Sequence, residues 1–414
     1  MDETKIRKKM VTPEQKEEFH KIFKELGRSL DITEEQHNTA VTSYEFVGDW
    51  LAKEGSNLSP YEPEIVPQGS FMLGTMTQPI HEGDELDIDL VCQLKGKSAS
   101  WTQYDLKKQV GDRLREHGTL KRLLDEEGRR CWTLHYADSA KFHLDILPSI
   151  VSENFKVLLE RSFSAKNLAD AQALAIRITD KETVNYYRET NPGLWLKSNP
   201  FGYGAWFKQR ASLDIYKAMS LREAVRPVPA YEKEKLPLQV VVQILKRHRD
   251  LMFNGDCDKP ISIIITTLAA LAYEKQTNVA TATLEVVERM ASFIEERYDP
   301  ITKQFVKWIA NPINPEENFA DKWPDQPQKQ ENFYKWLDRL KQDLLRSLNQ
   351  QGLYRIQESL AAPFGKHEVS KAFEQLAINA RVAREEGHKR MAAGSGILGS
   401  VGTKVANHNF HGRQ

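Results

Sequence analysis

Little in this chain points away from an ordinary globular protein. Only three cysteines occur in 414 residues, Cys92, Cys131 and Cys257, an odd count with no CxxC spacing. That pattern argues against a disulfide framework or a zinc knuckle. No long hydrophobic run is present. The longest, Ile261 to Tyr273, is too short and too Thr-rich to span a bilayer. Met1 to Met10 has no apolar h-region and is not a secretory signal, so the cytoplasm is the expected compartment and no membrane partner is expected. Charge of one sign is also missing: 58 Lys and Arg oppose 58 Asp and Glu, for a formal net charge of zero. Binding along a nucleic acid rests on many phosphate contacts, so no long nucleic-acid template is expected. A small, locally charged nucleotide pocket stays open. With 40% hydrophobic and 28% charged residues, the chain has ample material for a core, and its length suggests two or three structural units.

The first stretch reads as helices. Thr12-Pro13-Glu14-Gln15 has a capping-box pattern with proline at the first helical position, followed by Phe19, Ile22, Phe23 and Leu26. Thr33-Glu34-Glu35-Gln36 repeats the box and opens an amphipathic run from Val41 to Leu51, with Gly55 as a stop. Strand signals follow. Glu64 to Val66 leads into Gly69-Ser70, and Leu86 to Val91 alternates apolar and acidic residues with period two. A helix is expected from about Tyr104 to His117. Cys131 to Tyr136 and Phe142 to Leu147 read as strands joined by a turn at Ala137-Asp138-Ser139, and Leu174 to Ile178 suggests another strand. After about Pro200 the periodicity turns helical. Helices are expected over Pro237–Asp250, Pro260–Glu274, Thr281–Arg297, Asn332–Asn349 and Lys366–Arg384, with a connecting loop over Asn311–Gln330. From Ala392 the Gly/Ser-rich sequence suggests a flexible tail.

The informative feature is the pair Asp87 and Asp89. Residues i and i+2 of a strand share a face, so both carboxylates project together while Leu86, Ile88 and Leu90 pack behind them. Such like charges are tolerated with a divalent cation between them, or with one carboxyl protonated. Carboxylates plus substrate phosphates suit Mg²⁺. Asp145 lies in a later apolar strand, and three converging carboxylates are enough for a two-metal phosphoryl-transfer site. The plain alternative is that Asp87 and Asp89 line the wet face of an edge strand. Against it stands Gly69-Ser70 just upstream: a glycine lets backbone approach a phosphate, and the serine hydroxyl and following N–H groups bind its oxygens.

Gly-Ser, then Asp-x-Asp, then a third strand Asp resembles the DNA polymerase β-type nucleotidyltransferases. The longer strings Gln68 to Thr75 and Glu85 to Val91 are similar to the bacterial CD-NTases, the cGAS/DncV-like cyclic-oligonucleotide synthases of antiphage (CBASS) defence. The resemblance implies an α/β nucleotidyltransferase core with an N-terminal helical spine and an all-α, helical C-terminal lobe. Residues 1–200 would hold spine and core, 201–391 the helical lobe and 392–414 the tail. It also implies Asp87, Asp89 and Asp145 as catalytic residues and metal ligands. The cofactor would be two Mg²⁺ ions, with Mn²⁺ as a substitute, and NTPs, ATP among them, would be the substrates. Gly69 and Ser70 would cradle the donor triphosphate. Lys246, in the basic end of an apolar helix, matches a triphosphate-holding lysine, and Ser262 matches a triphosphate-contacting serine; a solvated helix end and a small packed residue are the plain alternatives.

The implied reaction joins NTPs into a cyclic di- or trinucleotide with release of pyrophosphate. The competing outcomes are a linear or tailing product, a protein or small-molecule acceptor, and a catalytically silent nucleotide-binding scaffold. Some members of the family bind HORMA-type regulators or are conjugated through their C-terminus by a ubiquitin-like system. The tail is a candidate handle here, but it ends in Gln rather than Gly, and an untethered terminus is the favoured reading. His135 and His143 have no Cys or His partner at ligand spacing and read as structural. Tyr203, Trp206 and Phe207 read as core aromatics rather than base-stacking ones. Asp84 follows Gly83 in a turn and is left out of the metal set.

Overall fold

A computed structural model of the chain describes residues 12–81, 83–136, 141–164, 172–213, 230–300, 303–386, 390–391, 398–399 and 403–404. The N-terminal segment Met1 to Met10, the turn at Ala137 to Ser139 and most of the Gly/Ser-rich tail lie outside the described residues. Helix α1 (Pro13–Leu30) starts where Thr12 accepts a hydrogen bond from the Gln15 N–H, with proline at the first position. Helix α2 (Glu34–Ala52) opens with a full capping box. Thr33 Oγ1 accepts from the Gln36 N–H at 3.1 Å while Gln36 Oε1 accepts from the Thr33 N–H at 2.8 Å.

The sheet that carries the acidic residues begins with β1 (Glu64–Pro67), followed by the short helix α3 (Gly69–Leu73) and β2 (Leu86–Leu94). Helices α4 (Gln103–Glu116) and α5 (Gly118–Leu123) lead to β3 (Trp132–His135) and β4 (Phe142–Ile150). Helix α6 (Phe155–Ser164), which the sequence pattern did not announce, precedes β5 (Ile176–Ile178) and β6 (Leu196–Ser198). The strand order is β1-β2-β4-β5-β6, with β3 also paired to β4. Strands β2 and β4 run parallel; the other pairings in this sheet are antiparallel. Along β2 the apolar residues Leu86, Ile88 and Leu90 are buried on one face, in a core shared with Tyr44, Val47 and Leu51 of α2. The period-two pattern therefore forces Asp87 and Asp89 onto the opposite face.

Beyond the sheet come α7 (Pro200–Ala211), α8 (Pro237–Phe253), α9 (Ser262–Ala272) and α10 (Val279–Arg289). The helix expected to run on to Arg297 ends at Arg289. A 3₁₀ turn (Met290–Phe293) follows, and then a hairpin of β7 (Glu295–Asp299) and β8 (Gln304–Trp308). The stretch 295–297 expected to be helical is instead paired across this hairpin, where Tyr298 also faces Phe305 with ring centroids 5.6 Å apart. The expected 311–330 loop holds a second small hairpin, β9 (Ala310–Asn311) with β10 (Asn314–Asn318). Helices α11 (Pro327–Leu348), α12 (Leu353–Phe364) and α13 (Lys366–Glu385) complete the lobe; α12 was not foreseen. Past them, Arg390–Met391 pairs with both Leu398–Gly399 and Thr403–Lys404.

Helix α1 belongs with this lobe rather than with the sheet. Its Phe19, Ile22, Phe23, Leu26 and Leu30 are buried in one core with residues of α8, α9 and α11. Consecutive helices α1 and α2 thus anchor in two different cores, and the cleft between those cores is where the candidate residues meet. Among the described residues, no helix is long and apolar enough to cross a membrane.

Candidate active site

The Gly-Ser turn is tied to the acidic strand through backbone. The Gln68 N–H donates to the Asp89 carbonyl at 2.9 Å, continuing the antiparallel β1–β2 ladder. Gly69 has φ +56°, and a Cβ placed on it would lie 2.5 Å from Asp89 Oδ2. Glycine is needed here twice over: for the left-handed conformation, and for space beside a carboxylate. Ser70 follows as the next residue of α3, on the wall of a cleft of about 620 Å³.

The third acid arrives by register. In the parallel β2–β4 pair, Asp89 is opposite Asp145 and Asp87 opposite His143. Oxygen atoms of Asp87 and Asp145 and a ring nitrogen of His143 lie within 4.8 Å of one another. Burial, together with the nearby charges of Asp87 and Asp145, pushes the Asp89 carboxyl up to about 7. Thr133, opposite Asp145 on β3, donates its hydroxyl to Asp145 Oδ1 at 2.5 Å. His143 Nε2 sits 3.3 Å from Asp87 Oδ1, and this hydrogen bond raises the imidazole to about 9 despite burial. Converging carboxylates that repel one another at this separation, with hard oxygen donors, fit a divalent cation of the Mg²⁺ type.

Helix α8 supplies the opposite wall. Four of its side chains, Gln239, Gln243, Lys246 and Arg247, fall on one helical stripe and donate to backbone carbonyls of segment 73–79. Gln239 reaches Leu73 at 2.9 Å, Gln243 reaches Met76 at 2.8 Å and Lys246 reaches Thr75 at 3.0 Å. Arg247 reaches Gln78 and Pro79 at 3.1 and 3.2 Å. Burial and the neighbouring Arg249 guanidinium bring the Lys246 ammonium down to about 8, opposed by Asp250, Asp87 and Asp89. Arg249 lies buried beside it, forked onto Asp250 at 2.7 and 3.1 Å, and donates to the Ser262 hydroxyl at 3.1 Å.

The structure brings Gly69, Ser70, Asp87, Asp89, Lys246 and Ser262 onto the lining of one cleft, with Asp145 adjoining through its register with Asp89. Asp84, left out of the acidic set, also lines it. Arg249, Thr133 and Glu85 were passed over. Arg249 stood in the basic cluster that pointed to Lys246, and strand alternation on β3 already put Thr133 on the face of a hairpin partner. Tyr203, Trp206 and Phe207 are buried in the helical core, as expected.

Residues 63–148 match a family model described as the nucleotidyltransferase domain of cyclic GMP-AMP synthase DncV-like proteins, a span holding all three aspartates and the Gly-Ser turn. The chain is 26% identical over 389 residues to a c-di-GMP synthase of Roseivirga ehrenbergii, covering 93% of this chain and 94% of that protein. It is 25% identical over 402 residues to the cyclic dinucleotide synthase CdnG of Bradyrhizobium diazoefficiens, covering 89% and 86%. The structure of that CdnG in complex with GTP superposes with a TM-score of 0.64 at 21% identity, over 87% of this chain and 99% of the other. CdnC of E. coli MS115-1, solved as a complex with HORMA-deltaN, has the same fold at a TM-score of 0.51 and 15% identity, over 81% of this chain and 93% of the other. With that domain matched over the acidic strands and the similarity to two cyclic dinucleotide synthases running over most of its length, the chain carries a DncV-like nucleotidyltransferase domain and shares the fold of the CD-NTase structures across both lobes.

Proposed function

We propose that the cleft joins two NTPs into a cyclic dinucleotide, releasing pyrophosphate at each transfer, as the signal-producing step of antiphage (CBASS) defence. The observation that carries this reading is the register that sets Asp145 beside Asp89 with Asp87 on the same face, opposite a buried Lys246. The activities of the two relatives favour a dinucleotide ring and make GTP a substrate to compare with ATP.

Asp87, Asp89 and Asp145 would hold divalent metal, Mg²⁺ first and Mn²⁺ as its substitute. Bound there, the metal supplies Lewis-acid stabilisation of charge on the attacking and leaving oxygens. The protein's own part is orientation. Ser70 and the backbone beside Gly69 face the donor phosphates, while Lys246 sets positive charge against them from the other wall. Thr133 fixes the Asp145 carboxylate, which orients the acceptor ribose hydroxyl and draws its proton. The hydroxyl oxygen attacks the α-phosphorus in line, a new P–O bond forms, and the bond to the bridging oxygen of pyrophosphate breaks. A second transfer within the linear intermediate closes the ring.

Asp87→Asn combined with Asp89→Asn should leave the fold intact and abolish pyrophosphate release; synthesis surviving in that variant would overturn the assignment. Phosphatase treatment separates ring from chain. A cyclic product resists it, whereas a linear one loses its terminal phosphates. The CdnC complex supports a HORMA-type partner for this chain too, which co-purification with a co-expressed HORMA protein would test.

A further inference from the structure

Beside the catalytic carboxylates lies a second cluster of different chemistry. Glu85, at the entrance to β2, points Oε2 at two imidazoles: His135 Nδ1 at 2.9 Å and His143 Nδ1 at 3.3 Å. The far nitrogen of each ring is also held by a carboxylate. His135 Nε2 is 3.4 Å from Asp125 Oδ2, and His143 Nε2 is 3.3 Å from Asp87 Oδ1. The two histidines face each other across the β3–β4 pair, ring centroids 5.7 Å apart.

A neutral imidazole has one N–H and one lone pair. Each Nδ1 lies within hydrogen-bond reach of the Glu85 oxygen, and an ion bound there takes the place of the proton shared between them while the other ring N–H donates to the outer carboxylate. That makes a two-nitrogen, one-oxygen set whose ligand atoms all lie within 4.8 Å of one another. Around an ion bound at about 2.0–2.1 Å, tetrahedral ligand atoms are about 3.3 Å apart, close to the two observed separations. A carboxylate behind each metal-binding histidine is the support such sites use to fix ring orientation and tautomer.

We propose that Glu85, His135 and His143 form a binding site for a divalent transition metal of the Zn²⁺ class, distinct from the oxygen-lined catalytic site. Two imidazole nitrogens favour Zn²⁺, Co²⁺ or Fe²⁺ and disfavour Mg²⁺, which takes oxygen ligands and keeps its waters. The three side chains are only partly buried, so an ion reaches them without opening the core. Once bound, the ion staples the entrance of β2 to the β3–β4 hairpin and holds His143 against Asp87, steadying a catalytic carboxylate that is otherwise exposed to solvent.

The test uses metal-stripped full-length protein in excess Mg²⁺, titrated with Co²⁺ alone and followed by visible d–d absorption, then with Zn²⁺ as competitor. The wild type should take up a single Mg²⁺-resistant Co²⁺ equivalent that Zn²⁺ displaces. Glu85→Gln and His135→Asn should each remove it, and Asp125→Asn should weaken it by roughly tenfold through the supporting contact. Circular dichroism confirms folding, and either ligand variant alone suffices if the other does not fold. Asp89→Asn should lose pyrophosphate release yet keep the Co²⁺ equivalent, which separates this site from the proposed reaction. No Mg²⁺-resistant equivalent in the wild type, an equivalent that survives in folded His135→Asn, or its loss in Asp89→Asn would each overturn the proposal.

Discussion

Replacing Gly69 with alanine tests the coupling between the Gly-Ser turn and the acidic strand. The new Cβ would stand 2.5 Å from Asp89 Oδ2, and contacts under 3.0 Å essentially never occur, so the carboxylate or the turn must yield by at least about half an ångström. Misplacing a reacting group by about 1 Å costs on the order of 10²-fold, so turnover should fall by roughly 10- to 100-fold. The backbone cost is separate. Gly69 sits at φ +56°, and an alanine held there costs about 1–2 kcal/mol of stability. Steady-state pyrophosphate release and urea unfolding measure the two effects independently. In an Asp89→Ala background the clashing oxygen is gone, so the same substitution should cost only its backbone share. Turnover of Gly69→Ala within about threefold of wild type, worth under about 0.7 kcal/mol, would refute the claim that this glycine makes room for a catalytic carboxylate.

Lys246→Met keeps the length of the side chain but removes its charge and its bond to the Thr75 carbonyl; at about 1.5–3 kcal/mol for a charged hydrogen bond, kcat/KM for NTP should drop roughly 10- to 150-fold. Thr133→Val should lower kcat by roughly tenfold with KM unchanged, and Thr133→Ser should restore it, if the Asp145 contact positions that carboxylate. Asp180 offers a pH-dependent stability test away from the cleft. Burial would raise its carboxyl, but hydrogen bonds from Arg129, the Glu182 N–H and Arg130 bring it from 3.8 down to about 2. A depressed carboxyl stabilises the fold above its ordinary value and loses that contribution as pH falls from about 4 towards 2. At about 1.4 kcal/mol per pH unit, and discounting for the half-exposed arginines, this is about 2 kcal/mol. Asp180→Asn should therefore destabilise the protein by that amount at pH 7 and flatten the acid limb of its stability curve. An unchanged acid limb would contradict the assignment.

Period-two alternation in β2 and the capping boxes at Thr12 and Thr33 are local signals, and they sufficed to place the acidic face and both N-terminal helices. What depends on pairing was harder to see. That Asp145 faces Asp89, and that Thr133 faces Asp145, follows from one parallel and one antiparallel register, which no local pattern records. The misjudged end of α10 has the same origin: residues 295–299 pair with a strand further along the chain, which their local pattern does not record. His135 and His143 lacked partners at ligand spacing because their common partner, Glu85, reaches them from just ahead of β2, some 50 residues away in sequence from His135. Short α12 carries Pro363 within it, which masked its helical pattern.

The stripe on α8 grips segment 73–79 by main-chain oxygens, which every amino acid provides equally. The path of that segment along the cleft is thereby made largely independent of its own side chains. Thr77 and Ile80, which line the cleft, can diverge between relatives without shifting the wall that carries them. The wall of the cleft is in this way a frame held by main chain, and the side chains it displays can change without a change of fold.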